Sequence, residues 1–243
     1  MFGDTKSNGI DQAIILWHRD FMQTKLSSQL NTPTIEWRVS PDLVPYEEAL
    51  KAMEARVDAI AQGSAPELIW LLEHPPLYTL GTGTREGDVL GHNHIPVIET
   101  GRGGRSTYHG PGQRVVYLML DLKKRSGETG PDLRAYVKSL ENWVISTLAK
   151  FDIKAHIDPD NVGVWVDGPN GTQDKIAAIG IRIRKWVTFH GIAINVSPNL
   201  DHYNGIVPCG LTHRGVTSFK KLGVKSSMAK LDETLKKTFD DNF

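Results

Sequence analysis

The sequence predicts an α/β fold of the α+β kind, with helices packed on a mixed, largely antiparallel sheet. Three observations predict it. Short apolar runs or apolar–polar alternations of strand length recur along the chain. Three longer segments carry apolar residues at spacings of three and four, the mark of a helix with one buried face. The strands arrive in runs between those helices and do not alternate with them one for one, which argues against a doubly wound parallel sheet.

Taken in order, residues 34–39 alternate and read as a strand that Ser40, Pro41 and Asp42 break. Tyr46, Leu50, Met53, Val57 and Ile60 fall on one helical face, and Gly63 is placed to stop that helix. Residues 68–72 are a short apolar run ending near His74, Pro75 and Pro76; they read as a buried strand that residues 77–80 continue past the two prolines. Val97 and Ile98 mark a short strand and residues 115–122 a strong one, with a glycine-rich loop between them. A second helix is expected over residues 131–151, entered through Pro131, with Leu133, Val137, Leu140, Val144 and Leu148 on one face. Strands follow at 162–166, 175–184 and 186–196, the last two close enough to form a hairpin. Met228, Leu231, Leu235 and Phe239 set a final helix. Residues 1–31 read as an N-terminal extension, with a short helix through Ile14, Ile15, Leu16 and Trp17, and residues 32–243 as a single domain.

Of the 243 residues, 40% are hydrophobic and 23% charged, enough apolar material for a core without staples. The one cysteine cannot form an internal disulfide and excludes a zinc site built from several thiolates. A formal net charge of zero predicts no global attraction to nucleic acid or anionic membrane. No apolar run approaches the roughly 20 residues a membrane span needs. Asp4, Asp11 and Asp20, with no arginine before Arg19, do not fit a secretory signal or transit peptide. The expected location is the cytoplasm.

The densest polar segment is Arg102, Gly103, Gly104, Arg105, Ser106, Thr107, Tyr108 and His109, followed by Gly110, Pro111, Gly112 and Gln113. Its glycines allow a ligand to approach the backbone, and its side chains offer donors and acceptors within one loop. It lacks the Gly-Lys-Ser or Gly-Lys-Thr of a phosphate loop, and a strand follows it where a dinucleotide fingerprint would open a helix. Cys209 lies between Pro208 and Gly210, outside any apolar period, where a turn can present a nucleophilic thiol. A lone cysteine is more commonly a small buried hydrophobe, and a thiol nucleophile needs a partner that lowers its pKa from about 8.5. His109, His190, His202 and His213 all qualify by type. Lys175 opens a strand in which Ile179, Ile181 and Ile183 alternate with polar residues or glycine; sharing their parity, its stem is expected on the buried side. Arg102, Arg105, Arg182, Arg184 and Lys185 are candidates for a basic docking patch.

Together these segments resemble the lipoyl(octanoyl) transferases. The likeness rests on Glu73, His74, Pro75 and Pro76; on the Arg102 loop; on Lys175, Ile176, Ala177, Ala178, Ile179, Gly180, Ile181 and Arg182; on Phe189, His190, Gly191, Ile192, Ala193, Ile194 and Asn195; and on Pro208, Cys209, Gly210 and Leu211. It implies a fold similar to the biotin and lipoate protein ligase catalytic domain. It also implies an acyltransferase with a Cys209/Lys175 dyad and no metal or other cofactor. Substrate contacts are implied at Arg102, Gly103, Gly104, Arg105, Ser106, Thr107, Tyr108, His109, Ala178, Ile179, Gly180, His190, Gly191, Ile192 and Ala193. The implied donor is octanoyl-acyl carrier protein. The implied acceptors are apo lipoyl domains of 2-oxoacid dehydrogenase complexes and the glycine cleavage H protein. The rival readings are an ATP-dependent lipoate or biotin ligase on the same fold, and a non-catalytic module that binds acyl-carrier or lipoyl domains.

Overall fold

The computed structural model describes residues 35–91, 94–168, 171–207 and 214–243. The N-terminal extension with its expected helix, and Cys209 with its Pro208–Leu211 surroundings and His213, lie outside the described residues.

The main sheet runs in the order β1 (Glu36–Leu43), β2 (Leu68–Glu73), β6 (Gln113–Met119), β10 (Val187–Asn195), β9 (Gln173–Arg184), β8 (Asn161–Asp167), β7 (His156–Asp158). The β1/β2 pair is parallel and every later neighbour in that path is antiparallel. Off the path, β11 (Gly215–Val216) pairs in parallel with the start of β9. A smaller sheet has β3 (Leu77–Leu80) between β4 (Val97–Glu99) and β5 (Thr107–His109). The mixed, largely antiparallel sheet expected from the sequence is the one found.

Helix α1 (Tyr46–Ala61) covers one face of the main sheet, burying Ala49, Met53, Val57 and Ile60 against Trp70, Tyr117 and Phe189, and Tyr46 against His74 and His190. Glu47 and Glu48 in its first turn suit the positive end of the helix dipole, and Gly63 N–H closes its last turn on Ile60 O at 2.9 Å. The short helix α2 (Leu122–Arg125) follows β6 directly. On the other face, α3 (Leu133–Ala149) and α4 (Met228–Phe239) pack over Val116, Val164, Ile192 and Ile194, with Trp143 and Phe239 edge to face at 5.2 Å.

Four local expectations differ from the structure. β1 runs through Pro41 to Leu43; as an edge strand it tolerates proline, and its register shifts between Val39 and Leu43. Residues 77–80 do not extend β2, because beyond Pro75 and Pro76 the chain enters the smaller sheet. Helix α3 starts at Leu133, capped by the Asp132 carboxylate on Arg134 N and Ala135 N, so Leu133 sits in its first turn, exposed. The glycine-rich stretch is not all loop: Thr107–His109 pairs with β3.

Candidate functional site

The cleft forms where β6, β9 and β10 of the main sheet face α1 and the segment leading into β5. Its walls carry Tyr46 from α1, Val115 and Tyr117 from β6, and all the expected contact residues except Gly103 and Tyr108. Together these enclose about 500 Å³ including the open mouth. Gly180 explains the close approach of loop and sheet: a Cβ there would stand 2.9 Å from Gly103 O. Gly103 N–H in turn donates to Ile181 O at 2.9 Å, fastening the loop to β9.

Arg102 does not project as a surface charge. It is 7% exposed, and its guanidinium donates from Nη2 to Thr79 O at 2.8 Å and to Thr79 Oγ1 at 2.7 Å. Arg105 pairs with Asp88. Burial pushes the Asp88 carboxyl up, but the hydrogen bonds from Arg105 and from Arg85 N outweigh it, leaving a net depression. Ser106 Oγ donates to Val207 O at 3.0 Å.

Three buried histidines gather here, His74, His109 and His190, with the His74 and His109 rings 5.7 Å apart. Burial lowers the His74 pKa to about 4, against the opposing hydrogen bond to Val44 O. It lowers His190 to about 3, helped by the Arg102 and Arg182 charges. His109 falls well below the usual value for the same reason, with His74 and Arg102 adding to it. All three are therefore neutral at pH 7. His190 adopts φ +59°, which turns its ring onto the Phe189 side, where the rings stack at 5.0 Å. Among the described residues its buried Nε2 has no hydrogen-bond partner.

Lys175 is 6% exposed. The strand pairs Val164↔Ala177 and Trp165↔Lys175 leave Ile176 as an extra residue in β9, a bulge. Alternation does not run through a bulge. Lys175 therefore shares the side of Trp165, opposite Val164 and Ala177, and not that of Ile179, Ile181 and Ile183. This corrects the parity expectation while leaving the side chain buried. Lys175 Nζ donates to Val162 O at 2.8 Å and stands 4.5 Å over the Trp165 ring.

A hydrogen-bond chain ties the cleft to this strand. His109 Nδ1 meets Gln113 Oε1 at 2.7 Å, and Gln113 Nε2 donates to Asn195 Oδ1 at 3.0 Å. Asn195 Nδ2 donates to Thr217 O at 3.0 Å, and Thr217 N donates to Lys175 O at 3.0 Å. Arg182, Arg184 and Lys185 do not make an open basic patch: Arg184 engages Asp58 and Glu54, Lys185 approaches Asp58, and Arg182 lies over Phe189. Among the described residues, no group of three or more His, Cys, Asp or Glu side chains is placed to hold a metal ion, and no helix is long and apolar enough to cross a membrane.

Sequence reasoning missed Tyr46, Val115 and Tyr117 as cleft walls. Tyr46 reads only as the head of an apolar helix stripe, and the strand pair reads only as core. His74 appears within a matched segment, but nothing local reveals its hydrogen bond to Tyr117 OH at 2.7 Å.

The lipoyl protein ligase A/B catalytic domain model matches residues 45–240. An octanoyltransferase of Parvibaculum lavamentivorans is 60% identical over 211 residues, covering 86% of this chain and 92% of that one. The chain belongs to the octanoyltransferases of this catalytic-domain family. A Chelativorans octanoyltransferase is 53% identical, covering 91% and 92% of the two chains. Among solved structures, a bi-partite lipoate protein ligase of Thermoplasma acidophilum aligns with TM-score 0.61 at 18% identity, over 86% of this chain and 84% of that one. A lipoate-protein ligase A bound with ATP aligns with TM-score 0.60 at 16% identity, over 85% of each. These two likenesses concern the fold. Family membership makes the protein an acyltransferase acting in octanoyl or lipoyl transfer.

Proposed function

We propose that the protein moves an octanoyl group from octanoyl-acyl carrier protein to a lysine of apo lipoyl domains, through a thioester on Cys209. The observation that carries this reading is the cleft itself. All but two of the residues matched to the family's acyl contacts, drawn from three separate segments, line one concave surface, and one of its strands, β9, holds Lys175. Its apolar part, from Val115, Ala178 and Ala193, suits an alkyl chain at about 0.8 kcal/mol per buried methylene.

In the first half-reaction the Cys209 thiolate attacks the donor thioester carbonyl, and the carrier thiol leaves. Lys175 takes up the Cys209 proton or stabilises the thiolate. In the second, the acceptor amine attacks octanoyl-Cys209, the C–S bond breaks, an amide forms, and Lys175 helps remove the amine proton. Exchange between thioesters is nearly balanced and amide formation runs downhill, so no nucleotide enters the cycle. Lipoyl domains of 2-oxoacid dehydrogenase complexes and the glycine cleavage H protein are the acceptors proposed.

The test is a transfer assay on an apo lipoyl domain, run with octanoyl-carrier protein and, separately, with octanoate plus ATP. Acylation from the carrier alone supports the reading. Acylation only from octanoate plus ATP would place the protein with the ligases, and none from either source would favour a binding module.

A further inference from the structure

Strand β8 carries an irregularity with its own chemistry. Its pairs with β7 run His156↔Trp165 and Ile157↔Val164, then jump to Asp158↔Asn161, which leaves Val162 and Gly163 as surplus residues outside the ladder. The two polar ends of the peptide group joining them are taken by side chains. Its N–H donates to Glu141 Oε1 at 3.0 Å, and its C=O accepts from Lys175 Nζ at 2.8 Å. Glu141 stands on α3 between core residues Leu140 and Val144 and is 5% exposed, while Lys175 shares the opposite side of the sheet with Trp165. One peptide unit therefore bridges a buried carboxylate and a buried amine.

Gly163 makes the arrangement possible. Its φ is +128°, and a Cβ there would stand 2.9 Å from Ala177 O and 3.1 Å from Lys175 Nζ. Burial raises the Glu141 pKa, opposed by the Gly163 N–H and by the charges of Lys175 and Lys138. Two other charged residues near Lys175 have partners of their own. Asp174, its neighbour on β9, holds Lys221, and Arg214, over the Trp165 ring, binds Asp158.

We propose that Glu141 is a positioning residue for the Lys175 amine: it grips the bulged peptide from one side of the sheet, so that Val162 O fixes Nζ on the other. The inference rests on the proposed role of Lys175 in acyl transfer. Hydrogen bonds in series polarise one another, so the carboxylate also strengthens the carbonyl's hold on the protonated amine.

The full-length chain carrying Glu141→Gln tests this, because glutamine keeps the size and one acceptor oxygen for the Gly163 N–H while removing the negative charge. We expect kcat to fall about tenfold with KM values within about twofold. The limb of the pH–rate profile that belongs to the amine should move to lower pH, since losing a nearby anion favours the neutral lysine. Glu141→Asp should return that limb toward the wild-type position. In the wild type, the Gly163 amide proton resonance should shift with the same midpoint as that limb, a readout that requires no variant to fold. Wild-type kcat and pH profile in Glu141→Gln, or a Gly163 resonance indifferent to pH across the limb, would overturn the proposal. Lys175→Ala is assayed alongside. If it loses transfer while Glu141→Gln behaves as wild type, only this inference falls. If it keeps full transfer, the reading beneath falls as well.

Discussion

At Lys175, one extra residue in a strand decides which side of the sheet the amine occupies. Alternation from Ile179 places it with the isoleucines; the bulge at Ile176 places it with Trp165. The sequence shows the lysine and the family pattern around it, but a bulge leaves no local mark when neither glycine nor proline stands at it. The residue type was therefore legible and its direction was not. Lys175→Ala is predicted to lower transfer by about 10²–10⁴-fold without a large change in melting temperature, checked by single-turnover transfer and a thermal melt. The buried histidines make a separate prediction. Each must gain a proton if the chain unfolds in acid, so the unfolded state binds more protons below about pH 6.5. Stability in urea should be level above that pH. It should fall as pH drops toward about 4, the value for His74, and further toward about 3, the value for His190. A His190→Phe variant should show a shallower decline over the same range.

At the scale of elements, the helices were the most legible parts, because a 3.6-residue stripe over four turns has few other readings. The sheet partners were less so: nothing in residues 77–80 says that they leave the strand before them, and Thr107–His109 is hidden by glycines on both sides. The tie between β6 and α4 was also invisible. Arg114 is 4% exposed, and its Nε stands 2.9 Å from Asp232 Oδ1. Burial raises the Asp232 pKa against the pull of that arginine. Asp232→Ala would leave a buried guanidinium without its counter-charge and is predicted to cost about 3–5 kcal/mol, measured by urea unfolding. The β9/β10 hairpin was foreseen, and its turn residues Lys185 and Trp186 both take positive φ, as a two-residue hairpin turn demands.

For the molecule as a whole, a balanced charge and one cysteine narrowed the chemistry before any geometry. Assembly of the cleft from distant segments was legible only through the family resemblance, since spacing cannot say that residues 102–109, 178–180 and 190–193 meet. The basic patch shows the limit of reading charge from a sequence, because the acids that answer Arg184 and Lys185 lie on α1, far away in the chain. Reversing both charges is therefore predicted to act on stability, by placing like charges beside Glu54 and Asp58. The urea midpoint should fall while KM for carrier protein stays within about twofold at low salt. The proposed rest of the acyl group on Cys209 between donor and acceptor is read out by intact-protein mass spectrometry after mixing with octanoyl-carrier protein. A single octanoyl adduct is expected, missing in Cys209→Ala and discharged by an apo lipoyl domain. An adduct that persists in Cys209→Ala, or transfer at the wild-type rate by that variant, would contradict the proposal.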